Sequence, residues 1–243
     1  GNINSSGGVD EASGVIIGAR ATFNLYNGSI CDNTLYSYQT GLKAGAVEVN
    51  GTFNMYGGSI KNNQGTGWVG ADSNYIGGVL VNSTGAFNLY DGEISGNRSA
   101  HDNRSSGTFN GGAVYIGAGG KFTMTGGEIS GNTVTSGNGG AIYIKDGGTV
   151  TITDGKITDN HVTNGNGGAI YVEAGGTLNL YGGTITGNTA SGLGGGIYVE
   201  AGGRVNIQGA PVVTGNTAGG KPNNVYVCVD STSPLLTISG ELT

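Results

Sequence analysis

Proline is nearly missing, with 3 residues in a chain of 243, which excludes a collagen and a proline-rich linker. Charge is scarce too, at 11% of residues, so the composition lacks the repulsion that keeps charged chains unfolded. What charge there is leans acidic: 10 Lys and Arg against 16 Asp and Glu give a formal −6. Binding to a nucleic-acid backbone needs a basic stripe, and none is present. No apolar run approaches the roughly 18 residues of a membrane-spanning helix, so membrane insertion is not expected. The two cysteines, Cys31 and Cys228, have no metal-ligand spacing. Neither has a neighbouring His, and no Gly-x-Ser-x-Gly elbow or Gly-Gly-x-Gly-x-Asp calcium repeat occurs. No metal or cofactor is therefore expected.

What the chain has in excess is glycine, 53 residues, about three times ordinary usage. The glycines are ordered by a repeat. Three blocks make it plain: GGAVYIGAGGKFTMTGGEISGN from Gly111, GGAIYIKDGGTVTITDGKITDN from Gly139, and GGAIYVEAGGTLNLYGGTITGN from Gly167. The lead aliphatic recurs at Val15, Val47, Val79, Val114, Ile142, Ile170, Ile197 and Val225, at spacings of 32, 32, 35, 28, 28, 27 and 28. A second column runs from Phe23 through Phe53, Phe87, Phe122, Val150, Leu178 and Val205 to Leu236, and a third from Ile30 to Leu242.

Within each pass, apolar residues alternate with other types over three short segments, the period of a strand rather than a helix. Glycines at the breaks allow tight corners. Three strands and three corners in 28 residues describe one rung of a solenoid, with like residues stacked about 4.8 Å apart. The expected architecture is all-β: a single-stranded, right-handed parallel β-helix of about eight rungs, filling residues 1–243 as one domain. Ile3 precedes Val15 by the twelve residues that separate Ile185 from Ile197. The chain is accordingly expected to be a piece of a longer protein with flanking domains.

Each pass closes on Ile-x-x-Asn or its equivalent. Asn33, Asn63, Asn97, Asn132, Asn160, Asn188 and Asn216 are expected to stack at one corner as a structural ladder, each amide bonding its neighbours above and below. The pairing of GGA-[Ile/Val] with [Ile/Val]-x-x-Asn resembles the GGA[ILV] and FxxN repeats of the polymorphic outer-membrane proteins of chlamydiae. It is also similar to glycine-rich β-helix regions in large surface proteins of gut bacteria. The resemblance implies an extracellular or cell-surface setting and an adhesin-like role.

The charged columns Lys145–Glu173–Glu200 and Glu93–Glu128–Lys156 alternate or dilute their charge, as exposed cross-strand ladders do. Tyr115, Tyr143, Tyr171, Tyr198 and Tyr226 form a column facing away from the core, read as structural stacking with a ligand platform as the alternative. The stronger functional signal is an irregularity. From the ladder Asn to the next lead aliphatic, the last four passes use 10, 10, 9 and 9 residues, whereas the first three use 14, 16 and 17. The three insertions leave one corner on consecutive rungs and must form one lobe. Its candidate ligand-binding residues are Tyr36, Tyr38, Trp68, Asp72, Tyr75, Arg98, His101, Asp102 and Arg104, beside Lys43 and Phe109. The rings either point outward, for a glycan or a host surface protein, or fold inward as a small core. Three functions stay open: a non-enzymatic surface module, a carbohydrate-active enzyme drawing on Asp72, His101 and Asp102, and a passive spacer.

Overall fold

A computed structural model describes residues 2–3, 6–9, 14–37, 41–67, 74–101, 109–229 and 236–242. The chain winds into a parallel β-helix. Its first strands, one per rung, are Val15–Ile17, Val47–Val49, Val79–Val81, Val114–Ile116, Ile142–Ile144, Ile170–Val172, Ile197–Val199 and Val225–Val227. They make one eight-stranded parallel sheet. Every pairing sets lead aliphatic on lead aliphatic, as in Val79↔Val47 and Ile142↔Ile170. Second and third strands share another sheet; in the fourth and fifth rungs they run together as Lys121–Ser130 and Thr149–Thr158, with the register shifting beside Thr125. Even Asn2–Ile3 obeys the rule, with Ile3 on Ile30.

The inward residues make one continuous core of stacked Val, Ile, Leu, Met and Phe. Phe53, Phe87 and Phe122 lie ring on ring at centroid distances of 4.7 and 5.0 Å. Each fully buried aliphatic or aromatic side chain stabilises the fold by about 1.5–3 kcal/mol relative to exposure. Repetition across rungs supplies the many such burials that a narrow rod needs.

The ladder asparagines are all buried. The backbone N–H and the Nδ2 of each donate to Oδ1 of the next, for example Asn63 to Asn97 at 3.0 and 2.9 Å. Nδ2 also reaches the carbonyl of the ladder-side Ile one rung back, as from Asn97 to Ile60 at 2.9 Å. The column ends on Asn224, whose Oδ1 accepts the Asn216 backbone N–H at 3.0 Å. A second, partly buried amide chain follows at the next corner: the backbone N–H groups of Asn110, Asn138 and Asn166 donate to Oδ1 of Asn74, Asn110 and Asn138, at 2.6, 2.8 and 2.9 Å.

Two features depart from the expected three-strand rung. Immediately after each ladder Asn, a short fourth strand (such as Thr133–Val134 or His161–Val162) joins a nine-stranded sheet. Its inward residues Val134, Val162 and Ala190 form a small core of their own. This sheet ends in a hairpin, because Thr217–Ala218 pairs antiparallel with Lys221–Pro222. Second, the insertions are not plain loops. The fourth strands lengthen to Thr34–Ser37, Gln64–Gly67 and Arg98–His101, and Leu42–Ala44 pairs with Asn74–Ile76 as an added two-stranded sheet.

Candidate functional site

The lobe on the first three rungs has a well-defined base. Ser37, Gly67 and His101 are register partners, so the three inserted segments leave the fourth-strand sheet side by side. They rejoin side by side as well: Leu42 pairs with Asn74, and the Asn74 amide donates to the Asn110 carbonyl at 3.2 Å. Among the residues flanking the insertions, Leu35, Tyr75 and Phe109 form a separate buried cluster, with the Tyr75 and Phe109 rings 5.7 Å apart and tilted at 49°. Gly67 makes this packing possible. A Cβ there would strike the Ser37 carbonyl and the Tyr75 ring.

Tyr75 is therefore not a ligand platform: it is 0% exposed, and the expectation that placed it among the binding residues is corrected. An aromatic ring beside Gly67 and Phe109 removes more apolar surface from water by turning inward than any outward pose would. Tyr36 is half-buried on its strand, and Arg98 is exposed on the same sheet. His101 ends that strand by its backbone. Tyr38, Trp68, Asp72, Asp102 and Arg104, and the side chain of His101, lie outside the described residues.

The tyrosine column on the first strands also departs from the platform reading. Tyr115, Tyr143 and Tyr171 are 3%, 7% and 5% exposed and join Ala44, Ile76 and Leu80 in a second core cluster. Their rings stack at 5.1 Å with interplanar angles of 4–7°. Facing away from the main core did not mean facing water, because each ring covers its neighbour. Burial, with the Glu173 and Glu200 carboxylates nearby, pushes the phenols of Tyr115, Tyr143 and Tyr171 well above their ordinary value.

The outward carboxylates of this face are committed locally. Glu173 accepts the Asp146 backbone N–H at 3.0 Å and lies 3.7 Å from Lys145 Nζ. Glu200 accepts the Ala174 N–H at 3.0 Å and the Tyr171 hydroxyl at 2.5 Å. Both carboxylates tie a corner of one rung to the next rung. His161 stands exposed, with Nδ1 2.6 Å from Thr189 Oγ1.

One aromatic group escaped the sequence reading altogether. Tyr26, Tyr56 and Tyr90 immediately follow the second strands, stacked at 4.9 and 4.7 Å, and they remain 61%, 40% and 42% exposed. Their signal was present in FNLY, FNMY and FNLY, with Tyr standing two residues before Gly28, Gly58 and Gly92 in the first three rungs.

A family profile described as a right-handed β-helix region matches residues 77–220. Regions of this kind occur in enzymes and in non-enzymes. No curated protein and no solved structure matches the chain.

Proposed function

The chain belongs to the right-handed β-helix family, and on that premise we propose that it is a non-enzymatic, adhesin-like module of a bacterial surface or secreted protein. It engages a glycan or a host surface protein through the lobe of the first three rungs. The observation that carries this reading is the shared register of Ser37, Gly67 and His101, with the Leu35–Tyr75–Phe109 cluster buried among the flanking residues. The described ends of three inserted segments thereby lie side by side, and variable loops on a rigid scaffold are where recognition is carried. The repeat's likeness to chlamydial and gut-bacterial surface proteins supports the extracellular setting and the presence of flanking domains.

Glycan arrays and mucin-coated surfaces, probed with wild type and with Trp68→Ala, test the proposal. The expected result is binding that falls at least tenfold in Trp68→Ala while the circular dichroism spectrum is unchanged. Tyr75→Ala, which unseats the base, is expected to weaken binding and lower the melting temperature together. Depolymerised product from a polysaccharide, abolished by Asp102→Asn, would overturn the proposal in favour of an enzyme. No binding to either surface would leave a spacer.

A further inference from the structure

The tyrosine column of the first strands continues past its buried members. Tyr171 stacks on Tyr198 at 5.0 Å and 11°, and Tyr198 on Tyr226 at 5.6 Å and 8°. With Tyr115 and Tyr143 this makes five near-parallel phenols over four rung steps, roughly 20 Å at the inter-strand spacing. The two ends of the column differ. Tyr115 is 3% exposed and pairs in register with the buried Leu80. Tyr226 is 37% exposed, so the stack opens to water at one end.

The hydroxyl ends of the later rings are held by a rule of the repeat. The residue two places after a tyrosine lies on the same face as its ring, and it reaches the phenol of the rung before. In the seventh rung that residue is Glu200, which accepts the Tyr171 hydroxyl. In the eighth it is Cys228, whose Sγ lies 3.0 Å from the Tyr198 hydroxyl oxygen, close enough for either group to donate. The Cys228 backbone N–H donates to the Val199 carbonyl at 2.8 Å, which pins this corner to the rung beneath it. Where the two preceding rungs carry Glu173 and Glu200, the last one carries a thiol. A carboxylate can take a proton from a phenol; a thiol can give a hydrogen atom to a phenoxyl radical. The thiol stands at the end of the stack that meets water.

We propose that the tyrosine column is a redox relay that delivers oxidising equivalents to Cys228. A diffusible one-electron oxidant, such as a peroxyl or carbonate radical, takes an electron from exposed Tyr226, and the phenolic proton passes to water. Orbital overlap falls steeply with distance, so ring-to-ring steps pass an electron where one leap along the column would not. The Tyr226 phenoxyl recovers an electron from Tyr198 and a proton from water, while Tyr198 releases its own proton to water. The Tyr198 phenoxyl then takes a hydrogen atom from Cys228: the S–H bond breaks, the O–H bond re-forms and the unpaired electron stays on sulfur. A hole reaching Tyr171 drains by the same route, its proton moving to Glu200 as the electron leaves and returning when Tyr198 supplies another. The net change is one electron to the oxidant, one proton to water and one thiyl radical, with all five phenols restored. A small thiol from solution returns a hydrogen atom to the sulfur and carries the radical away. The stacked rings are thereby spared cross-linking, and the damage is moved to a sulfur that can be repaired.

Photogenerated tris(bipyridyl)ruthenium(III), with a cobalt(III) quencher, serves as the one-electron oxidant on the full chain, and peptide mass spectrometry reads the products residue by residue. Tyr198→Phe keeps the stacked ring and removes the hydroxyl. Its Cys228 should be oxidised at least fivefold more slowly than in wild type, although alkylation of that thiol in the dark is no slower. Tyr226→Phe, at the exposed end, provides a second variant should the first not fold, with oxidation of Cys228 slowed at least twofold. In Cys228→Ser the radical loses its outlet, so oxidation products on Tyr226 and Tyr198 should rise at least threefold. Oxidation of Cys228 at the wild-type rate in the folded tyrosine variants would mean direct attack on the thiol and would overturn the proposal. So would unchanged tyrosine products in Cys228→Ser.

Discussion

Replacing Asn132 by alanine removes one member of the buried amide column while sparing the apolar core. Asn132 is 0% exposed. Its Nδ2 donates to Asn160 Oδ1 and to the Ile94 carbonyl at 2.9 Å each, and to the Ser130 carbonyl at 3.1 Å. Its Oδ1 accepts the Asn97 backbone N–H at 2.9 Å and Asn97 Nδ2 at 3.0 Å. Alanine keeps only the backbone bonds, from its own N–H to Asn160 Oδ1 and from the His161 N–H to its carbonyl. The Ser130 carbonyl still accepts from Gly96, so the main cost falls on Asn97, which loses an acceptor for its backbone N–H and for one amide proton. A buried donor left without a partner costs about 1–3 kcal/mol, and two of them with a small void give an expected loss of about 3–5 kcal/mol. The assay is urea unfolding followed by far-ultraviolet circular dichroism, with the slope compared between variants. Asn24→Ala is the control: it removes one exposed amide bond, for an expected loss below about 1 kcal/mol. If Asn132→Ala costs no more than Asn24→Ala, the column does not hold the rungs together and the reasoning fails.

Two further outcomes follow from the buried tyrosines and the thiols. Burial raises the phenol pKa of Tyr115, Tyr143, Tyr171 and Tyr198 in the folded chain, so the folded state holds protons that the unfolded chain releases near pH 10. Their contribution to stability is complete below that pH and declines as pH rises above it; a melting series from pH 8 to 12 should fall from about pH 10, and a flat series would refute the burial. Cys31 and Cys228 are both free, in the first and last rungs. Thiol titration of unreduced, unfolded protein should find both, with buried Cys31 reacting more slowly than Cys228 in the native state; finding neither would break the rung assignment.

The parts of the fold that could be read in the sequence are those that solve the same packing problem in every rung. Val47, Val79, Val114 and Ile142 recur because each sits on the last, and the ladder asparagines recur for the same reason. The fourth strand was missed because in rungs four to seven each copy offers a single inward residue, such as Val134 or Val162, too short a run to show a period of two. The added sheet was missed because its partners differ in kind: Leu42 faces Asn74, Lys43 faces Tyr75 and Ala44 faces Ile76. A repeat search has nothing to match there. Alternation placed Tyr143 away from the main core correctly, but exposure depends on the rings above and below, which alternation along one strand does not report. The lobe was legible as extra length at one corner, and the inward turn of Tyr75 was not, since it depends on Gly67 one strand away.

The amide column has a consequence beyond holding rungs together. From Asn33 to Asn216 each side-chain amide donates to Oδ1 of its C-terminal neighbour. From Asn63 onward Oδ1 accepts from the N-terminal side and Nδ2 also reaches back to a backbone carbonyl, so the amide-to-amide bonds all run one way. Amide groups, each with a dipole of about 3.5 D, add when they point in one direction, as they do along an α-helix. The column thus has an electrical polarity, positive toward the Asn224 end, with no helix among the described residues. Transient electric birefringence would detect it as orientation in a field, weakened by each asparagine removed.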